Sequence, residues 1–309
     1  MVGFAQGEQR YADGSTSDQN GNTFEWINYG TQDWSIQNAE VVTYRDGTPI
    51  PQVTVAIEWS NLTTGAWCYV DNDPEKGKLY NWYAAAGIHD AASYSDATLR
   101  KVFAPEGWRV PLEQDWDYLR DYLISNGFNF DGTTTENKIA KSMAAKTGWA
   151  QGDEIGDPGV DQTLNNSSGF NAMPSDDRNE YGGFSNAALP GSSYARFHSQ
   201  SISGGDAIYA GINYRMQTLN LNFSFNPRRG FSVRFVRDVV DTDVETVIAV
   251  WDFTDNALGV TEFNSDFSTL NGSEAVGANN LGFFYGATDQ EGDGYDNART
   301  LNALFGGNG

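Results

Sequence analysis

One stretch of this chain, residues 111–126 (PLEQDWDYLRDYLISN), carries a sustained helical repeat; elsewhere the apolar residues mostly come in short runs cut by turn signals. Trp116, Leu119, Tyr122 and Leu123 recur at i, i+3, i+6 and i+7, which is one helical face. Pro111 suits a helix start, acids fill the first turn at the positive end of the dipole, and Gly127 follows as a stop. A second, shorter helix is predicted over 137–148 (NKIAKSMAAKTG), again ending at a glycine. β-type runs occupy 23–30, 32–36, 41–51 and 65–73, with Asn20-Gly21 and Asp46-Gly47 as turn dipeptides. The run 79–87 (LYNWYAAAG) predicts a strand leading into a short helix. Residues 149–192 are loop-rich, whereas 194–203, 206–225 and 228–238 alternate and predict three strands of one antiparallel sheet. Short antiparallel strands, two helices and long ordered loops held by Trp and Tyr packing define an α+β chain.

The aromatic content supports that reading. Nine Trp, fifteen Tyr and eighteen Phe in 309 residues can fill a core, which excludes global disorder. No stretch approaches eighteen consecutive apolar residues, so no membrane-spanning helix is expected. A net charge of -22 repels phosphate backbones and anionic lipid, so no nucleic-acid partner and no membrane insertion are expected.

A single cysteine, Cys68, forbids an intrachain disulfide and any zinc site that needs several cysteines. His89 and His198 lie far apart, and no G-x-S-x-G elbow occurs. The expectation is therefore a protein that is not an enzyme. The opening MVGFAQGEQR lacks the charged and apolar regions of an intact secretory leader. Export without a leader, as for virion components released by lysis, is the favoured expectation; a trimmed leader is the alternative.

Residues 1–19 are polar and glycine-bearing, and read as an extended arm. Residues 239–309 hold twelve acids against one base, Arg299, and so half of the net charge of -22. Apolar runs such as VIAVWDF and LGFFYGA in that segment predict a small acidic β-rich extension or assembly segment rather than a disordered tail.

Eight motifs follow in order: DGTPIP (46–51), TGAWCYVDND (64–73), GKLYNWYA (77–84), APEGWRVP (104–111), EQDW (113–116), KTGWA (146–150), SGFNAMP (168–174) and GFSVRFVRD (230–238). In this order and spacing, residues from about 20 to 238 resemble the Fibrobacter succinogenes major paralogous domain family. The resemblance implies a C-type-lectin-like fold, similar also to that of formylglycine-generating enzymes. It implies further that the last sheet and the loops before it form the ligand face. Two departures stand out. Members often carry a second cysteine in the last strand, where this chain has Phe235, so Cys68 is expected to be a small buried hydrophobe. The Trp-Ser-Ser-rich stretch common in the family is replaced over 189–229.

That stretch interleaves Tyr194, Arg196, His198, Tyr209, Asn213, Tyr214, Arg215, Asn220, Asn222 and Arg228. Rigid aromatic area with adaptable hydrogen-bonding groups suits a binding surface, so these ten are the candidate ligand site. The Glu-Pro-Asn, Gln-Pro-Asp and Trp-Asn-Asp triplets of a lectin calcium site are absent, so no cofactor is expected there. Asp289, Glu291, Asp293 and Asp296 alternate with glycines in a pattern that suits calcium. Asp71, Asp73 and the acids of 153–161 read as turn formers. Arg228, Arg229, Arg234 and Arg237 are expected to pair with the chain's own carboxylates or those of a neighbouring subunit. The function expected is a structural and binding protein displayed outside the cell. The favoured form is a virion component, such as a phage fibre, capsid decoration or receptor-binding protein. Such a protein would self-associate and bind a host-surface glycan or protein. The alternative is a secreted adhesin or polysaccharide-binding module of a Bacteroidetes- or Fibrobacter-like bacterium.

Overall fold

The computed structural model describes residues 9–185 and 191–239. The acidic segment from 240 onward, with Asp289, Glu291, Asp293 and Asp296, lies outside the described residues, as does the start of the arm.

Strands β1 (Gly14–Ser17), β2 (Thr23–Tyr29) and β3 (Gln32–Ser35) form an antiparallel meander. Its first turn is built by Asp18, whose carboxylate accepts the Asn20 and Asn22 amides at 2.8 and 3.0 Å. The described part of the predicted arm thus ends as an edge strand, and its Arg10 amide bonds the Ser167 carbonyl at 2.9 Å. A short helix α1 (Ala56–Ser60) precedes β4 (Trp67–Tyr69) and β5 (Lys78–Asn81). Asn81 then converts strand into helix α2 (Trp82–Ala85): its buried Oδ1 accepts the Ala84 amide at 3.0 Å as a cap, and the Ala66 amide at 3.0 Å. The strand-to-helix reading of 79–87 is therefore seen. Helix α3 (Ala91–Ser95) is capped by Asp90, which accepts the Ser93 amide at 2.8 Å.

The long helix α4 covers Glu113–Ser125. Asp115 in its first turn accepts the Leu112 amide at 2.6 Å and pairs with Arg109. Trp116, Leu119 and Leu123 are buried, with Tyr122 packed beside them, as the periodicity predicts. Gly127 at φ 77° closes the C-terminus, where a side chain would be strained. The helix predicted over 137–148 shrinks to one turn, α5 (Ala140–Met143). Tertiary partners claim its flanks: the Asn137 amide group bonds Leu219 in both directions, and the Ala145 amide donates to Ala172 O at 2.9 Å.

Strands β6 (Tyr194–Ser203), β7 (Asp206–Asn213) and β8 (Asn220–Phe225) form a second antiparallel sheet. The sequence reading of this sheet needs correction. Residues 206–225 are two strands, broken by a turn over 214–219, and 228–238 is not the third strand. It splits into β9 (Gly230–Phe231), paired to β5, and β10 (Val236–Asp238), paired to β3. Between them, the Ser232 amide bonds Arg196 O at 3.1 Å. This last segment therefore ties three small sheets together. Val233 and Phe235 enter one core with Phe24, Tyr80, Phe103 and Trp108, while Val236 enters the other with Trp34, Trp116, Phe170 and Phe197.

Arg234 lies between them, fully buried, and belongs to a pattern the sequence did not show. It donates to the carbonyls of Ser35, Ile36, Phe170 and Asn171 and to Asn38 Oδ1, not to a carboxylate. Burial presses its pKa down to about 9, so the guanidinium stays charged at neutral pH. Cys68 is fully buried, as expected, and its thiol is pushed up to about 11 by desolvation. No helix among the described residues is long and apolar enough to cross a membrane. The described architecture is α+β.

Candidate functional site

The open face of the β6–β7–β8 sheet carries a shallow concavity of about 200 Å³ lined by Tyr194, Arg196, Tyr209, Asn213, Met216, Asn220 and Phe223, among others. The pairing register explains the gathering. Tyr194 stands opposite Asn213, Arg196 opposite Gly211, and Tyr209 opposite Phe223. Gly211 sits closely beneath its neighbours. A Cβ there would meet the Tyr209 ring at 3.2 Å and Arg196 Cγ at 3.4 Å.

A ladder of rings and guanidinium groups runs along this face. Arg196 lies over the Tyr194 ring at 3.7 Å. Tyr209 stacks on Phe225 at 5.1 Å, and Arg229 lies over Phe225 at 4.0 Å. Such cation–π contacts contribute roughly 0.5–2 kcal/mol each. The two guanidinium groups share one carboxylate, Asp177, which is fully buried: Arg196 donates to Oδ1 and Arg229 to Oδ2 at 3.3 Å. The backbone fixes Asp177 in place, because Arg178 and Gly230 exchange both amide bonds at 3.1 and 2.8 Å. Arg229 also holds Glu180 at 2.8 Å. The result is a rigid, charge-neutralised platform that presents exposed Phe223 and Met216. It offers apolar ring faces, with the Asn213 and Asn220 side chains at the edge for hydrogen bonds.

Five of the ten sequence-predicted residues, Tyr194, Arg196, Tyr209, Asn213 and Asn220, are brought together here. The others separate. His198 is fully enclosed beneath the sheet; its Nε2 lies 2.8 Å from Tyr80 O and its ring packs on Phe231 at 5.0 Å, so it is a core residue that no ligand reaches. Desolvation lowers its pKa to about 4. Tyr214 is buried in the core, and Arg215 pairs with Asp153 at 3.1 Å outside the concavity. Arg228 lines a different cavity. Asn222 lies on β8, and its side chain is outside the described structure. Sequence reasoning missed Phe223, Met216, Phe225 and Asp177. The period-two spacing of Phe223 and Phe225 was a readable signal; the role of Asp177, which depends on a bridge between distant segments, was not.

The expected carboxylate pairing of the last basic cluster is met in part. Arg229 and Arg237 are paired, the latter to Asp33 at 2.9 Å, whereas Arg228 and Arg234 bond carbonyls. Asp73 is a turn former, accepting the Glu75 amide at 3.0 Å.

A larger concavity, of about 580 Å³, lies elsewhere, between Phe24, Ile36, Phe235 and the loop around Met173 and Pro174. None of the ten predicted residues lines it. Its polar wall is largely satisfied internally: Asp18 caps its turn, Glu40 holds Lys78 at 2.5 Å, and Asp71 holds Lys76 at 2.6 Å.

Fold and site together define an α+β protein with an aromatic and guanidinium platform on its β6–β7–β8 sheet. The chain belongs to the Fibrobacter succinogenes major domain family, whose model matches residues 27–237. No match was found among curated proteins or among solved structures.

Proposed function

We propose that this chain is a non-enzymatic binding protein displayed outside the cell, with a C-type-lectin-like arrangement whose β6–β7–β8 face takes a ligand. The single observation that carries the reading is the concavity itself. In a chain of net charge -22, two guanidinium groups are held by one buried carboxylate, Asp177, with Glu180 balancing the second charge, so that aromatic faces can be presented. Rings with amide groups at their edge suit a glycan, whose apolar C–H faces stack on aromatics while its hydroxyls bond the Asn side chains. Cys68 and His198 are enclosed in the core, out of reach of a substrate. On a virion component the face would meet a host-surface glycan or a neighbouring subunit. On a bacterial adhesin it would meet polysaccharide.

The test is a glycan array with the full-length chain, run beside Phe223→Ser and Asn220→Ala, with light scattering on all three. Binding by the parent that both variants lose supports a glycan. A parent that binds no glycan but forms a discrete oligomer, dissolved by Phe223→Ser, places a neighbouring subunit on the face. A parent that does neither refutes the reading.

A further inference from the structure

A second cavity, of about 380 Å³, lies at the hairpin end of the same sheet and shares no lining residue with the first. It is lined by Trp82 and Tyr83 of α2, Tyr94 of α3, Arg100, Asp206 at the start of β7, and Arg228, among others. Its volume is in the range of small-molecule sites.

The state of its arginines sets this cavity apart. Eight of the described arginines make an ion pair with a carboxylate. Among the described residues, four do not: Arg100, Arg178, Arg228 and Arg234. Arg178 and Arg234 are fully buried, and backbone carbonyls accept their N–H groups. The remaining two, Arg100 and Arg228, both line this one cavity. Each is anchored through Nε alone, Arg100 to Ser93 O at 3.3 Å and Arg228 to Leu62 O at 2.9 Å. That anchoring orients each fork while leaving its terminal nitrogens without a protein acceptor among the described residues. Trp82 also lines the cavity, and its buried indole N–H has no partner among the described residues. Buried donors without acceptors are costly unless something fills them.

Donors of this kind match an oxyanion, and a guanidinium fork matches a carboxylate or a phosphate. Polyphosphates and other polyanions are opposed by the chain's overall field at -22, whereas a single negative charge is not strongly opposed. Tyr83 and Tyr94, with centroids 6.0 Å apart, add an aromatic wall, and Tyr94 is exposed. Asp206 is the one acid among the lining residues and can accept a hydroxyl proton. We propose that this cavity binds a sugar acid, a small hydroxylated ring with one carboxylate. The carboxylate sits on Arg100 and Arg228, the ring face lies against Tyr94, and a hydroxyl donates to Asp206. This site is independent of the sheet concavity and of the reading given for it.

The test is calorimetric titration of the full-length chain with sodium glucuronate, glucose and sodium sulfate in turn. Saturable glucuronate binding is expected, with glucose at least about tenfold weaker, since a charge-assisted fork is the main discriminator. Arg100→Gln and Arg228→Gln should each weaken glucuronate by roughly tenfold or more. Arg100 is the cleaner test, because the Arg228 backbone also accepts the Trp59 indole at 2.7 Å. Phe223→Ser, in the other concavity, should leave glucuronate binding unchanged. Absence of saturation, equal binding of glucose, sulfate competing as well as glucuronate, or undiminished binding by Arg100→Gln would each overturn the proposal.

Discussion

Asp177→Asn is the most direct probe of the platform. Asp177 is fully buried and accepts from Arg196 and, at 3.3 Å, from Arg229. The asparagine is nearly isosteric, so no cavity forms and the effect is electrostatic. Hydrogen bonds to charged groups stabilise by about 1.5–3 kcal/mol each, and a buried donor facing a guanidinium opposes folding further. The two arginine side chains keep 12% and 21% of their exposure, so solvent screens part of this. A net loss of about 2–3 kcal/mol follows for the variant. Urea denaturation measures it as a lower midpoint with an unchanged slope. In a double-mutant cycle with Arg229→Met, the coupling should be about 1 kcal/mol or more, because both residues belong to one network. A loss below about 0.5 kcal/mol, or full additivity in the cycle, would refute the view that Asp177 locks the guanidinium groups.

His198 gives a pH dependence with a defined sign. Its folded pKa of about 4 lies below the ordinary 6.5, so as pH falls below 6.5 the unfolded chain gains a proton that the folded one refuses. Stability should therefore drop by about 1.5 kcal/mol between pH 6.5 and 5, the slope approaching about 1.36 kcal/mol per unit as the unfolded histidine becomes fully protonated. Urea midpoints across that window should show a smaller drop for His198→Asn; an equal drop would exclude His198 as the source. Cys68, buried and with its thiol pushed up to about 11, should resist iodoacetamide in the native protein and react fully once unfolded in urea. Mass spectrometry of the labelled chain decides this, and rapid native labelling would show that Cys68 is accessible.

Local signals carried much of the fold. The α4 periodicity, the Asn81 cap in LYNWYAAAG and the Asp18 turn act within a few residues, so they can be read in order along the chain. Where reading failed, the competing interaction came from far away. The 137–148 helix lost its flanks to Leu219 and Ala172. Residues 228–238 alternate like a strand of the β6–β7–β8 sheet, yet Gly230–Phe231 pairs with β5 and Val236–Asp238 with β3. The candidate site was half legible for the same reason. Period-two alternation put Tyr194, Arg196 and His198 in one set, but Phe231 and the Tyr80 carbonyl enclose the histidine from another segment.

By itself, the sequence determined the α+β class, the main helix, the turns at 20–21 and 46–47 and the burial of Cys68, because propensity, capping and hydrophobic period are local. Only the tertiary structure decided which arginines are satisfied. Arg228 and Arg229 are adjacent in the chain, yet one lines the hairpin-end cavity with only its Nε bonded among the described residues and the other is held by Asp177 and Glu180. A guanidinium's role depends on the acceptors that distant segments bring to it, and that arrangement exists only once the three sheets have been tied together.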